Sequence, residues 1–225
     1  MIMTMTYVFP DLHGRLDHLV AALSACGQDG IGDDDTIVFL GDYIDRGPDS
    51  AQLVKHLREF ADGRDRVICL SGNHEYMMLW AIVDGDAAMQ GWLVNGGVQT
   101  VQSYTDGLGE IDEAAMRSDI EWFASLPITH VDNHRVYVHA GLEGDAPLDE
   151  QALKYTHWKR YETLDGSSWS GHHVVHGHSP DRDGPKTVGN RTAMDVGAVW
   201  SGRYVVGVFD DDVAGGPVRV IEVHG

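Results

Sequence analysis

Five short stretches of this sequence concentrate side chains that bind metals or move protons. They are Asp11-Leu12-His13-Gly14, Gly41-Asp42-Tyr43-Ile44-Asp45-Arg46-Gly47, Gly72-Asn73-His74-Glu75, His139-Ala140-Gly141 and Gly177-His178-Ser179-Pro180. Each alone says little, because Asp-rich loops cap helices and make turns and a lone His is usually structural. Together they offer carboxylates, imidazoles and a carboxamide, with no thiolate. That donor set suits Mn²⁺, Fe or Zn²⁺ and argues against iron–sulfur chemistry. Asp11, His13, Asp42, Asn73, His139 and His178 are too many ligands for one catalytic ion that keeps open positions. They fit two ions sharing a carboxylate. Two ions about 3.5–4 Å apart generate a hydroxide and clamp an in-line phosphoryl displacement. Arg46 adds planar donors that match phosphate oxygens better than a lysine would.

Such residues must be brought together by the elements they follow. Runs rich in β-branched and aromatic residues precede all five stretches: MTYVF (5–9), TIVFL (36–40), RVICL (66–70), RVYVH (135–139) and HVVH (173–176). Between the first three lie helical patterns, Leu16, Leu19, Val20, Leu23 and then Leu53, Val54, Leu57 and Phe60 or Ala61, the second entered at Pro48-Asp49-Ser50. Strand–helix–strand–helix–strand predicts a right-handed βαβ series with a buried sheet. In open α/β sheets ligands bind beyond the carboxyl ends of the strands, where all five stretches fall. Residues 75–126 read as mostly helical, with breaks at Gly85 and Asn95–Gly97 and a stop at Pro127. After 186, the runs RTAMDVG, RYVVGVFD and VRVIEV read as a β-meander. The expectation is a single α/β domain, 1–225, with a helical insert at about 77–126.

Bulk properties exclude several classes. A formal net charge of −19 repels phosphate backbones, so no nucleic-acid binding is expected. No apolar run approaches the ~18–20 residues of a membrane span. MIMTMTYVFP has no basic n-region or long apolar core and does not read as a signal peptide. Cys26 and Cys69, both in apolar contexts, read as buried free thiols. The expected setting is a reducing cytoplasm. No Ser or Cys lies in a nucleophile-elbow context, and no Walker motif is present.

DLHG, GDYIDRG, GNHE, HAGL and GHSP, taken in order, resemble the successive motifs of the phosphoprotein phosphatase family within the metallophosphoesterases. The resemblance spans roughly 5–205. WLVNGGVQTVQSY (92–104), PLDEQ (147–151) and MDVGAV (194–199) are most similar to its small bacterial and phage branch, which holds Ser/Thr protein phosphatases and symmetrical dinucleoside tetraphosphate hydrolases. The resemblance implies an α/β/β/α sandwich with a central mixed double sheet. It implies two divalent ions, with Mn²⁺ the expected metal: Asp11 and His13 on the first, Asp42 bridging, and Asn73, His139 and His178 on the second. Arg46 and Asn73 would contact the phosphate, joined by Arg160 of THWKRYE (156–162). His74 would be the general acid, with Asp45 orienting it and raising its pKa. The first motif usually carries Gly before its Asp; this chain has Pro10. The implied substrate is a phosphorylated protein or peptide. A dinucleoside polyphosphate or other small phosphoester is the alternative, shaped by 77–126 and 142–170, and an inactive binding scaffold is a third.

HHVVHGHSP holds four histidines. His172 and His173, at the strand start, read as solvent-facing or structural. His176 and His178 share a face of an extended chain, so alternation does not choose between them. The strand–Gly–ligand pattern of Gly41-Asp42 and Gly72-Asn73 repeats at Gly177-His178 and selects His178. Glu75 reads as a helix-start acid, with a supporting partner to the ligands as the alternative, and Tyr43 reads as packing.

Overall fold

The computed structural model describes residues 4–144, 146–161, 169 and 171–225. Parts of 142–170 therefore lie outside the described residues, including the end of THWKRYE. The first strand–helix series forms as the sequence predicts: β1 (Met5–Phe9), α1 (Leu16–Asp29), β2 (Thr36–Phe39), α2 (Ser50–Ala61) and β3 (Val67–Cys69). β1, β2 and β3 pair in parallel, Val8 opposite Val38 and Val38 opposite Ile68. The helical insert comprises α3 (Asn73–Val83), α4 (Asp86–Trp92), α5 (Val98–Ser103) and α6 (Glu113–Ser125), with a wide π-type turn over Leu93–Gly97. Gly85 breaks the insert as expected. Asn95–Gly97 kinks it, with Gly96 at φ +118°, and residues 104–112 are not helical.

The second half supplies β4 (Thr129–Val131), β5 (Arg135–Val138), α7 (Leu153–Thr156), β6 (His173–His176), β7 (Lys186–Val188), β8 (Arg191–Ala193), α8 (Ala198–Ser201), β9 (Arg203–Asp210) and β10 (Arg219–His224). Two mixed five-stranded sheets result, ordered β10-β9-β1-β2-β3 and β4-β5-β6-β8-β7. The expected meander after 186 is therefore split. β7 and β8 join the second sheet, and β9 crosses over to pair antiparallel with β1 in the first. Pattern shows that a run is a strand; it carries no record of which edge completes which sheet.

Strand alternation builds three apolar layers. Tyr7, Phe9, Phe39, Val206 and Val208 face the helices. Val8, Val38, Tyr137, Val175, Val205 and Phe209 meet between the sheets. Val136, Val138 and Val174 pack under Leu142, Leu148 and Trp169, so loops and short turns form the thin outer layer there. In α1 the buried residues are His18, Leu19, Ala22 and Cys26; Val20, assigned to the apolar face by spacing, is 49% exposed. Arg135, fully buried, ties the sheets together: its Nε donates to the Gly215 carbonyl at 3.1 Å and its Nη2 to that of Asp210 at 2.9 Å. Cys26 and Cys69 are both free and buried. Among the described residues no helix is long and apolar enough to cross a membrane.

Phe209 is fully buried between the sheets with Arg135 over its ring at 5.0 Å. Phe209→Ala is expected to cost about 3–5 kcal/mol of stability, read as a lowered denaturation midpoint with the m-value unchanged.

Candidate dimetal site

The parallel strands of both sheets end at one edge, and the five stretches meet there. Backbone geometry marks the place. Among the described residues, the non-glycine residues with left-handed φ are His13 (44°), Asp42 (56°), Asp45 (74°), Arg46 (70°) and His178 (66°). Such conformations cost about 1–3 kcal/mol each and persist only where their surroundings over-determine them. Glu75 supplies much of that constraint. It is fully buried in the first turn of α3, and its carboxylate accepts the amides of Asp42 (2.9 Å), Tyr43 (2.8 Å), Ile44 (3.3 Å) and Gly72 (2.9 Å). It is thus a helix-start acid, as its position suggests, and also the anchor of the Asp42 loop. The β1 loop is hung from that one: the amides of Leu12 and His13 donate to the Asp42 carbonyl at 3.1 and 2.9 Å. Pro10, for all its departure from the usual Gly, leaves its carbonyl to accept the Tyr204 hydroxyl at 2.8 Å.

The glycines before the ligands do different work from that expected. Only Gly41 has a left-handed φ (+99°). At Gly72 and Gly177 the requirement is close approach. A Cβ would lie 2.3 Å from Asp42 Oδ1 in the first case and 2.3 Å from Asp11 Oδ1 in the second.

Asp42 occupies the centre. Its Oδ2 lies 3.6 Å from His13 Nε2, and its Oδ1 lies 3.4 Å from His139 Nε2. Asp11 Oδ2 is 3.9 Å from His13 Nε2 on the first side. On the other side Asn73 Oδ1 is 2.9 Å from both His139 Nε2 and His178 Nδ1. Two groups of donor atoms, His13/Asp42/His74 and Asp42/His139/His178, are compact enough to hold an ion, and they share Asp42. That sharing is the geometry of a bridging carboxylate. His74 enters the first group by proximity, yet its Nδ1 is taken by Asp45 Oδ2 at 2.6 Å and its Nε2 by Arg46 Nη2 at 2.8 Å. Arg46 takes His13 Nε2 with its other Nη in the same way, so its contacts do not separate the two imidazoles, and Asp11 stands beside His13 outside the compact group.

The imidazoles are oriented by backbone carbonyls. His13 Nδ1 bonds the Ile44 carbonyl and His139 Nδ1 that of Leu40, both at 2.9 Å, which leaves each Nε2 facing Asp42. Burial, reinforced by neighbouring cations and imidazoles, holds His13 and His139 well below the ordinary imidazole value and His178 down at about 4. Neutral imidazole is the ligand form. Burial pushes Asp11 and Asp42 well above the carboxylate range, helped by Asp195 acting on Asp11 and by Asp11 acting on Asp42. Packed acids with raised pKa values beside neutral imidazoles form a site whose charge a divalent cation would balance. The donor set therefore fits the metal pair.

Arg46 reaches His13 Nε2 with one Nη and His74 Nε2 with the other, and its Cζ lies 5.0 Å from the Trp200 ring. Arg160 is exposed on the rim and contributes by its charge to lowering His178. The expected upward shift of His74 is not found. Burial first, then Arg46 and His178, hold it well below its ordinary value. Burial raises its partner Asp45 to about 7. In the histidine tract, His173 is buried and bonded to the Thr192 hydroxyl at 2.8 Å. His176 turns Nδ1 to the Gly177 carbonyl and packs its ring on Tyr161, away from Asn73. His178 alone of the four reaches the cluster. Sequence reasoning missed Asp195, buried after β8, which is a sixth strand end at the same edge. The strand–acid pattern of RTAMD was the available signal.

A two-sheet α/β fold with shared-carboxylate donor groups at its strand ends defines a metal-dependent phosphoester hydrolase. The profile of the calcineurin-like phosphoesterases matches residues 5–209, and the chain belongs to that family. It is 28% identical over 206 residues to serine/threonine-protein phosphatase 1 of Salmonella typhimurium, covering 89% of each chain. It is 30% identical over 152 residues to the symmetrical bis(5'-nucleosyl)-tetraphosphatase of Pseudomonas fluorescens, covering 66% of this chain and 47% of that enzyme. A solved Saccharomyces cerevisiae protein serine/threonine phosphatase superposes with a TM-score of 0.61 at 16% identity, covering 99% of this chain and 80% of the other.

His178→Ala is expected to retain one bound ion per chain and His176→Ala two, counted by elemental analysis after gel filtration. Loss from His176→Ala alone would reverse the choice between them. The raised acids also set a pH dependence. Burial favours the protonated form of Asp11, Asp42 and Asp195 in the folded chain, so a metal bound there displaces protons and competes with them more severely as the pH falls. Burial lowers the imidazoles, which favours their neutral, ligating form. The rise in melting temperature on adding Mn²⁺ should therefore be larger at pH 8 than at pH 5; equal rises would remove the carboxylates from the ligand set.

Proposed function

We propose that this protein is a phosphomonoesterase of the Ser/Thr protein phosphatase type. In this reading Asp11, His13 and the bridging Asp42 hold one divalent ion, and Asp42, Asn73, His139 and His178 hold a second, with Mn²⁺ the expected metal. Bound ions supply Lewis acidity and an acidified water as nucleophile. One observation carries the reading: a single guanidinium, Arg46, touches both a ligand imidazole, His13, and the imidazole of the His74–Asp45 pair. A phosphoryl group gripped by Arg46 thus sits between the metal ligands and a proton donor. Asn73 and Arg160 complete the phosphate seat. His74 is held neutral by burial and by Arg46. To act as the acid His74 must first take up a proton from solvent: a dianionic phosphate on Arg46 would offset that cation and Asp45 would accept a hydrogen bond from Nδ1–H, both favouring the imidazolium, whose Nε2–H would then pass to the leaving oxygen. The Salmonella relative, similar along 89% of both chains, supports the protein substrate. The buried free thiols support a reducing, cytoplasmic setting.

A second reading, hydrolysis of a dinucleoside tetraphosphate, is favoured by an exposed indole beside Arg46 and another two residues before Arg160 in the chain. Trp200 is 57% exposed and faces Arg46, and Trp158 is 37% exposed two residues before Arg160. Exposed aromatic faces stack nucleobases. The Mn²⁺-reconstituted protein should be assayed on phosphoserine, phosphothreonine and phosphotyrosine peptides, diadenosine tetraphosphate and simple monoesters. Highest kcat/KM on phosphoserine or phosphothreonine peptides supports the first reading, and preference for the dinucleotide the second. Absence of metal-dependent hydrolysis across the panel would sink both. His74→Asn should cut kcat on phosphoserine peptide by roughly 10²–10⁴-fold and much less on 4-nitrophenyl phosphate, whose leaving group needs no proton.

A further inference from the structure

Beyond α3, the helical insert meets the site at two adjacent residues, Asp45 and Arg46, and Asp45 takes its side-chain contacts. This carboxylate is fully buried, three residues beyond Asp42, and has no cation bonded to it among the described contacts. Its oxygens are instead saturated by two insert side chains and the acid imidazole. Thr100, on α5, donates its hydroxyl to Oδ1 at 2.6 Å while accepting the Asp45 amide at 2.9 Å. Trp92, closing α4, donates its indole N–H across both oxygens at 3.1 and 3.0 Å. His74 Nδ1 takes Oδ2 at 2.6 Å. Two neutral donors therefore fix the plane and rotation of the carboxylate that faces His74.

The kink between α4 and α5 makes this convergence possible. At Gly96, φ is +118°, and a Cβ there would lie 2.7 Å from Arg46 N and 2.8 Å from Arg46 Cγ. The Gly96 carbonyl accepts the Arg46 amide at 3.2 Å. At Gly97 a Cβ would fall 2.6 Å from the Trp92 ring, so the indole can lie on Asp45 only over a bare backbone. Kinks and π-type turns in helices concentrate at functional sites. This one seats Asp45 and Arg46 together, both in left-handed conformations that need external support.

We propose that Trp92 and Thr100 are positioning residues for leaving-group protonation, acting on His74 through Asp45, and that Gly96 positions Arg46 for the phosphate. The insert then belongs to the catalytic apparatus as well as to the substrate surface. This rests on the phosphomonoesterase reading for its kinetic consequence but not for its structural one. A bare Asp45 would rotate and solvate, and the imidazole would lose the partner that aims Nε2 at the leaving oxygen.

The test compares Thr100→Val, Trp92→Phe and their double variant with wild type and His74→Asn, all loaded with metal. Hydrogen bonds to a charged group account for roughly ten- to hundredfold in an equilibrium. Each single variant is expected to lower kcat on phosphoserine peptide by about that factor, to leave 4-nitrophenyl phosphate within about threefold, and to keep the wild-type metal content. Thr100→Ser, which retains the hydroxyl, should restore the peptide rate. Gly96→Ala should instead raise KM on both substrates, leaving their kcat ratio unchanged. Equal losses on the two leaving groups, a Thr100→Ser as impaired as Thr100→Val, or an unchanged KM in Gly96→Ala would overturn the assignment. A readout independent of turnover is the low-field ¹H resonance of His74 Nδ1–H in Zn²⁺-loaded protein, identified by its absence in His74→Asn. It should be present in wild type and lost to rapid exchange in the double variant. Were wild type inactive on every monoester, that loss would still support the clamp while the phosphomonoesterase reading fell; persistence of the resonance in the double variant would sink the clamp whatever the activity.

Discussion

The structure depends on one buried carboxylate whose oxygens are taken up by backbone amides. Glu75 gathers four amides from two loops, three of them from the consecutive residues Asp42, Tyr43 and Ile44. A carboxylate accepting several amides in a dry site holds them far more firmly than water would, because each orphaned N–H there costs a desolvation penalty. With the Asp42 loop held, its carbonyl receives the β1 loop, the Leu40 carbonyl before it orients His139, and the Ile44 carbonyl after it orients His13. Three of the six candidate ligands thus take their orientation from a backbone segment that Glu75 keeps in place.

Electrostatics then shape what the cluster can accept. Burial penalises charge on both acids and bases, so the acids drift up and the imidazoles down. The outcome is a pocket of potential anions and neutral nitrogens, with Arg46 the nearest cation. Such a pocket is costly when ionised and has one simple remedy, a compact multivalent cation. Membership of the calcineurin-like phosphoesterases and the paired donor groups sharing Asp42 describe the same solution from two directions. Against an overall charge of −19, Arg46 is the cation that touches the cluster, and Arg160 acts on His178 through its charge.

Much of the fold was legible because period-2 and helical patterns report burial directly. β1, β2, β3, β5 and β6 begin and end within a residue or so of their apolar runs, and the motif stretches sit on their ends. The failures have physical reasons. Val20 fits the helical spacing of α1, but the turn that buries His18 rotates it outward. The three late strands carry ordinary strand patterns, and only the closure of two separate sheet edges assigns β8 to one sheet and β9 to the other. The upward shift expected for His74 took account of Asp45 alone; burial and Arg46 outweigh it.

From the sequence alone came the residue types, their order at strand ends, the donor chemistry that excludes thiolate clusters, and the preference for His178 over His176. These are properties of local spacing, and local spacing survives in a linear string. The resemblance of the motifs already implied Asp42 between two ions; tertiary structure alone decided that Glu75 gathers the amides of the Asp42 loop and that Trp92 and Thr100 close on Asp45. Those contacts join residues whose proximity arises from two sheets ending at a common edge and a helix kinked at Gly96, and no period in the chain encodes that coincidence.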